Sequence, residues 1–516
     1  VNGGVADRDP YLAPGKRDVQ YGRAGGGFAR LDYLADGEVW LSLWPAEPAG
    51  DRPLYREKLP AAPLEAPLAR PEPGGYSGDS LVTRPASSLY GASRFKTRLL
   101  GGNYRFEWGQ PVTMPVLDLG SEKGGLTILK RGGGMQTKSL RLQAPDCREY
   151  VLRSVDKRTQ AVIPRSLHGT LADDLLQDQI SASHPYGALA VPGLADAAGV
   201  YTARPELVYV PDDPRLGKYQ ALFANTVALL EERPEETGED HPEGSQKIYS
   251  TTKMLARLQA DPDHRVEGHE VLRARLFDML IGDWDRHDDQ WRWLEHKQGP
   301  GTTYSPLPRD RDQAFFINQG LLPRIGSRKW ILPKFQGFDR RIRDVAGFNF
   351  NARYFDRSFL NGLSRADWLA MADTLQRRVT DAAMQAALEN LPGGVRQPSG
   401  ADILAKLKAR RDHLAADAAQ YYAFLARAVD VPGSDGDELF RVRRLDGGQT
   451  ELEVHRLGKD RQPTGTLYRR VFEPHETREI RLYGLGGADV FTVEGAARQS
   501  VKVRIIGGKG NDTITD

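Results

Sequence analysis

The chain has 516 residues, too many for one compact core, and at roughly 100 to 200 residues per domain it predicts three or four units of α+β multidomain class. Basic and acidic residues nearly cancel at a formal charge of +2, so nothing global points to nucleic acid. Cys147 is the only cysteine, which excludes an internal disulfide framework and any cysteine-based zinc or iron-sulfur site, and no run of about 18 apolar residues marks a transmembrane helix. The text opens at Val1 without Met or a signal peptide and stops at Asp516 in mid-pattern, so it reads as a piece of a larger protein.

From Val1 to about Leu59 the chain is glycine-rich and strand-like. Gly25 to Tyr33 and Glu38 to Trp44 flank Asp36-Gly37, a hairpin signal. Residues 61–85 turn to Pro, Ala, Gly and Ser and read as a linker. Strand character returns over 90–157, with Gly125 to Leu129 and Glu149 to Val155, and helical patterns begin after Leu167. Glu270 to Ile281 places Val271, Leu272, Leu276, Met279 and Leu280 on one stripe. Ser364 is expected to cap a helix through Leu391 with Asp367 at its third position. Ser399 is expected to cap another to about Val429 with Asp402, the two separated by Pro392-Gly393-Gly394. Short alternating strands follow Pro432, so the C-terminal part reads as all-β.

Asp283, Asp285, Asp288 and Asp289 crowd the end of an apolar helix, and like charges so close repel unless cations or water offset them. Tyr304 to Pro308 then reads as a strand leading to Arg309-Asp310-Arg311-Asp312. Helix end, hairpin and second acidic turn is the order in which phosphotransferases place a catalytic Asp and a metal-binding Asp. Magnesium takes oxygen ligands and bridges phosphates while another carboxylate orients the acceptor. Without further information the same group is open to a calcium site or a salt-bridged structural node.

The run Phe277 to His287, with Asp285-Arg286-His287, resembles the catalytic segment of the secretory-pathway and phosphoinositide kinases, and Arg309 to Phe315 resembles the acidic metal segment of the spore-coat CotH kinases. Lys130 to Leu142, with Gly132-Gly133-Gly134 and Lys138-Ser139, resembles the CotH opening, where glycines let backbone N–H groups approach phosphate. The resemblance implies a two-lobed kinase-like domain over 86–430, with an N-lobe to about 215 and a C-lobe from about 216. Asp285 is implied to orient the acceptor, and Asp312, Gln290 and Asp310 to hold Mg2+ or Mn2+. Gly132, Gly133, Gly134, Lys138 and Arg153 are implied to contact the phosphates of ATP or another phosphate ligand, and Arg286 and His287 to orient the segment. Two positions depart from the pattern: Arg153 stands where such kinases carry lysine, for which Lys138 or Lys157 could substitute, and Gln290 stands where an asparagine is expected.

Residues 1–60 resemble the closing strands of calcineurin-like metallophosphoesterases, without that fold's His and Asp ligands. Gly507 to Thr515 resembles the calcium-binding nonapeptide turn, and Gly484 to Phe491 matches it with Leu485 replacing a glycine. Asp489 and Asp512 are thereby calcium-turn candidates. The starts are 23 residues apart, not a multiple of nine, so two hairpins of a sandwich over 431–516 are expected rather than a β-roll. The whole order resembles surface proteins of Gram-negative bacteria in which a phosphoesterase, this middle region and a BamA/TamA-type barrel follow one another. That implies a periplasmic or surface position, an upstream phosphoesterase and a downstream barrel as partners, and no nucleic acid. Catalysis is left open: the alternative is an accessory region that couples the phosphoesterase to the barrel or completes its pocket.

Overall fold

The computed structural model describes residues 27–33, 39–45, 55–59, 80–132, 138–157, 176–234, 247–298, 301–328, 331–496 and 500–516. It divides into two compact units, Val1–Ala69 and Arg70–Asp516, and is of mixed α+β class with several sheets. In the first unit Gly27–Tyr33, Val39–Pro45 and Tyr55–Leu59 form an antiparallel sheet in that order, with Tyr33 opposite Val39. The Asp36-Gly37 turn and Val1 to Gly4 lie outside the described residues.

The second unit begins with a five-stranded antiparallel sheet, ordered Thr127–Gly132, Ser139–Gln143, Glu149–Ser154, Thr226–Glu232, Glu206–Val210. Strand periodicity of two assigns its faces. Leu140, Leu142, Tyr150, Leu152, Ala228 and Leu230 pack into one apolar cluster on one face. On the other face Ser139, Arg153 and Leu229 form one cross-strand row, and Arg141, Val151 and Glu231 the next. A polar face on a central sheet needs something to meet, and the helical part supplies it.

At the centre of that part lies the helix Gly268–Ile281, in which every residue from Val271 to Ile281 except Arg273 is buried. The expected apolar stripe is therefore a helix enclosed on all sides, which is why Arg275 and Asp278 inside it need charged partners. The hairpin Trp291–Gln298 and Gly301–Pro308 follows, extended by Ile248–Ser250 and, in parallel, by His264–Val266. Trp291 stacks on Phe355 with ring centroids 4.6 Å apart.

The two long helices differ from expectation. Ser364 and Asp367 do form a reciprocal capping box, but the helix ends at Arg378 and a second, Asp381–Leu388, begins under Thr380. The Thr380 hydroxyl accepts from Ala383 N at 3.2 Å, giving the backbone a new helix start. The last helix runs Gly393–Ala426 with Pro392 at its N-cap, so Ser399 lies inside it rather than capping it. Its hydroxyl donates to Val395 O at 3.2 Å, and burial of Val395 and Ser399 outweighs the interruption by Pro398. Among the described residues no helix is long and apolar enough to cross a membrane.

The C-terminal strands have a core of their own. They also correct the sandwich-hairpin expectation, because the two glycine-aspartate runs are not hairpins. Ala428–Pro432, Glu479–Leu485 and Lys502–Gly508 pair in parallel, as do Glu438–Arg444, Val490–Glu494 and Thr513–Thr515. Each run is the corner of a coil stacked on the previous one, and the 23-residue spacing is the length of a coil. At the corners the acids form a ladder: Glu438 N donates to Asp489 Oδ1 at 2.9 Å, and Asp489 N to Asp512 Oδ1 at 3.1 Å. The carboxylates of both calcium-turn candidates are thus engaged by backbone N–H groups.

Candidate functional site

The Gly268–Ile281 helix stops because Gly282 adopts φ +76°, where a Cβ would also meet Phe338 Cδ2 at 2.7 Å. The chain folds back, Asp283 N donating to Asp278 O at 2.9 Å. Asp278 is fully buried and meets Arg275 NH1 at 2.7 Å, Arg311 NH1 at 2.8 Å and Arg286 Nε at 3.2 Å. Arg286, also fully buried, reaches on with NH1 to Arg309 O at 2.7 Å and Asp310 O at 3.0 Å. One guanidinium therefore joins the helix end to the acidic turn.

The acidic turn is held in an uncommon backbone. Asp310 has φ +56° and Phe315 φ +62°, a left-handed conformation that costs an L-residue roughly 1–2 kcal/mol. Phe315 N donates to Ile281 O at 2.9 Å and Tyr104 OH to Phe315 O at 2.7 Å, so the far end of the turn is tied as firmly as the near one. Asp310 and Asp312 thereby line the same cleft as Asp285.

A cleft of ≈ 990 Å³ opens between the polar face of the sheet and this turn. Asp285, His287, Gln290, Asp310 and Asp312 line it from the helical side and Gly132, Arg153 and Lys157 from the sheet side. Arg153 pairs with Asp310 and, at 2.9 Å, with Glu231 Oε1; Lys157 Nζ lies 2.6 Å from Asp312 Oδ2. Asp285 Oδ1 accepts from Asn351 Nδ2 at 2.7 Å, and Lys334 Nζ stands 3.1 Å from Asn351 Oδ1. Lys138 is not in the lining; its Nζ lies 3.4 Å from Leu222 O, and Lys157 takes the place beside the carboxylates. His287 is exposed at the lining, while Gly133 and Gly134 lie outside the described residues.

Burial and charge divide the carboxylates. Burial pushes Asp283 up to about 7, with Asp278 adding to the rise and Arg286 and Arg311 opposing it. Asp312 is raised by burial and by Asp310, against Lys157. Asp310 is held at about 2: burial acts to raise it, but Arg153 and Lys157 prevail. Paired carboxylates pushed apart in this way are a mark of functional centres, and of structural ion networks as well.

The donor set suits a hard divalent cation. Asp310, Asp312 and Asp285 offer carboxylate oxygens to the same cleft, and Gln290 Oε1 is buried without a hydrogen-bond partner among the described residues. Asp312, Asp310 and Gln290 would hold such an ion. Among the described residues no group of three or more His, Cys, Asp or Glu is gathered tightly enough to form that shell unaided.

Glu231, Asn351 and Lys334 escaped the sequence reading. Glu231 carried one signal, its alternation with Leu229 on a strand; Asn351, 66 residues from Asp285, carried none.

No family model matches the chain, and no curated protein matches it. Among solved structures it is similar to the Helicobacter pylori proinflammatory kinase CtkA at 10% identity, with 55% of this chain and 93% of that chain covered and a TM-score of 0.28. It is also similar to the HipA, HipB and operator DNA complex of Shewanella oneidensis MR-1, at 13% identity, 58% and 66% coverage and TM-score 0.27. The Rio2 kinase-ADP/Mg2+-phosphoaspartate complex from Chaetomium thermophilum matches at 14% identity, 55% and 70% coverage and TM-score 0.26. At TM-scores this low such likeness decides neither the chemistry nor the family of this chain.

Proposed function

We propose that the unit Arg70–Asp516 carries a kinase-like phosphotransferase site of CotH type, binding ATP or another phosphate ligand together with Mg2+ or Mn2+. The observation that carries the reading is the meeting of Asp285 and Asp312 in one cleft beneath a sheet whose third strand presents Arg153. In protein kinases the phosphates lie under a glycine-rich first hairpin, a cation on the third strand contacts them, and carboxylates from the facing lobe hold metal and orient the acceptor. Here Gly132 and Ser139 flank that first hairpin, Arg153 and Lys157 supply the cations, Asp312 with Asp310 and Gln290 supplies metal ligands, and Asp285, held by Asn351, orients the acceptor hydroxyl. Phosphate entering the cleft takes Arg153 and Lys157 as partners and frees Asp310 and Asp312 for the cation, so ligand and metal are expected to bind cooperatively.

The test is calorimetric titration of the full chain with ATP and Mn2+. Metal-dependent heat should vanish in Asp312→Asn and persist in Asp285→Asn, in which any phosphoryl transfer is lost. Equal heats with and without metal in the unaltered chain would remove the reading.

One observation favours a second reading, a non-catalytic accessory region. Arg153 and Lys157 already neutralise Asp310 and Asp312 by direct pairing. On that reading Asp312→Asn lowers thermal stability and leaves all ligand heats unchanged. As context for either reading we propose the arrangement implied by the resemblance, a periplasmic or surface protein with a phosphoesterase before this region and an outer-membrane barrel after it. Fractionation of the full-length protein checks it.

A further inference from the structure

In the short helix Leu321–Gly326 no residue is buried, so none of its apolar side chains is committed to a core. Leu321 is 59% exposed, and Leu322 and Ile325 are exposed as well. The turn that follows closes back on this helix. Ile331 N donates to Arg328 O at 2.9 Å and Leu332 N to Gly326 O at 3.1 Å, which returns two more exposed apolar side chains to the helix end. A second short helix, Arg94–Leu100, presents Phe95 at 78% exposure. The two helices are fastened at one point: Asn103 N donates to Gln319 Oε1 at 3.0 Å, Gln319 N donates to Asn103 Oδ1 at 3.3 Å, and a Cβ on Gly320 would meet Gly101 N at 2.3 Å.

Single apolar residues on a surface need no explanation, whereas a contiguous group does. What surrounds this group is positive. No acidic residue occurs between Asp312 and Asp339, or between Asp79 and Glu107, in a chain whose charges otherwise nearly cancel. Arg94, Arg98, Arg324 and Arg328 are exposed and take part in no ion pair among the described residues. Asp178, which Lys96 of the second helix meets at 2.7 Å, is buried and is also held by Arg105 at 2.6 Å, so it offers these arginines little.

Apolar side chains standing outward among arginines fit a boundary between hydrocarbon and phosphate. The apolar tips leave water while the guanidinium groups stay at the level of charged headgroups. A second copy of the chain fits worse, because a two-fold contact would set arginine against arginine. We propose that the face made by Arg94–Leu100, Leu321–Gly326, Ile331 and Leu332 seats the chain on an anionic lipid surface. This contact is separate from the phosphotransferase reading, since Phe95, Leu321, Arg324, Ile325 and Arg328 stand outside the lining of the cleft. Leu322 and Leu332 belong to that lining and are left unaltered in the test.

The experiment is co-sedimentation of the full chain with vesicles over a range of lipid concentrations, using phosphatidylcholine alone and phosphatidylcholine mixed with phosphatidylglycerol. The unaltered protein is compared with Arg324→Gln/Arg328→Gln, Leu321→Ser/Ile325→Ser and Phe95→Ser, each checked by thermal melting. The expected result is binding about tenfold or more tighter to the phosphatidylglycerol vesicles, weakened about tenfold or more in each double variant. Phe95→Ser, on the other helix, provides the test if a double variant melts early. Binding that is indifferent to either double variant, or equal for the two kinds of vesicle, overturns the proposal. So does absence of binding to both; self-association of the unaltered chain that is lost in Leu321→Ser/Ile325→Ser would then assign the face to a second copy.

Discussion

Among the described residues two acidic clusters, each partly buried, are satisfied in opposite ways. Around the cleft, Asp278, Asp310 and Asp312 are met by the side chains of Arg275, Arg286, Arg311, Arg153 and Lys157. In the C-terminal coils, Glu438 N and Asp489 N donate to the carboxylates of Asp489 and Asp512. Side-chain cations can be drawn to an incoming anion and release their carboxylates. Backbone N–H groups cannot move without unpicking the strands. The first arrangement is suited to exchange of partners, the second to fastening one coil to the next, although the residue types are the same.

The sharpest way to break this comparison is at Arg286. Replacing it by Ala leaves Asp278 and Asp283 buried with one cation fewer and releases the carbonyls of Arg309 and Asp310, an expected loss of about 3–5 kcal/mol by chemical denaturation. An exchangeable network that tolerated the change would refute the clamp assigned to Arg286.

The coils should be most sensitive where backbone and carboxylate meet. A Cβ at Gly484 would stand 2.2 Å from both Asp489 Oδ2 and Gly507 O, so Gly484→Ala is expected to cost about 2–3 kcal/mol while leaving ligand binding in the cleft unchanged. Loss of ligand binding in parallel with the coil would show that the two regions are not energetically separate.

The smallest expected effect is a pH dependence. Burial raises Asp489 to about 7, with the Glu438 backbone N–H opposing and the charges of Glu438 and Asp512 adding to the rise. A carboxyl whose folded value lies above its unfolded one holds a proton that the unfolded chain releases. Its contribution is therefore complete below pH 4 and is lost as pH rises toward 7. Asp489→Asn keeps an oxygen acceptor for Glu438 N but does not titrate. Thermal melts of the variant should lose that part of the slope between pH 4 and 7.

Some of this was legible before any coordinates. Crowded aspartates after an apolar helix marked Asp285, and a second acidic turn marked Asp310 and Asp312, because repulsion between neighbours in sequence needs a reason whatever the fold. Ser364 with Asp367 was legible as a capping box for the same local reason. The break at Thr380 and the continuation through Ser399 were not, since each depends on which side chains are buried by other elements. The 23-residue spacing was visible, but whether it is a failed nine-residue period or the length of a coil depends on strand pairing, and the parallel register decides it.

By itself the sequence determined the α+β class and the acidic centre that the cleft is built around, both of which rest on periodicities and charges close together along the chain. Only the tertiary structure decided which cation meets which carboxylate. Lys157 and not Lys138 reaches Asp312, and Asn351 reaches Asp285. Those pairings join residues from 66 to 155 positions apart, where sequence pattern carries no information and only the packing of sheet on helix brings opposite charges within reach.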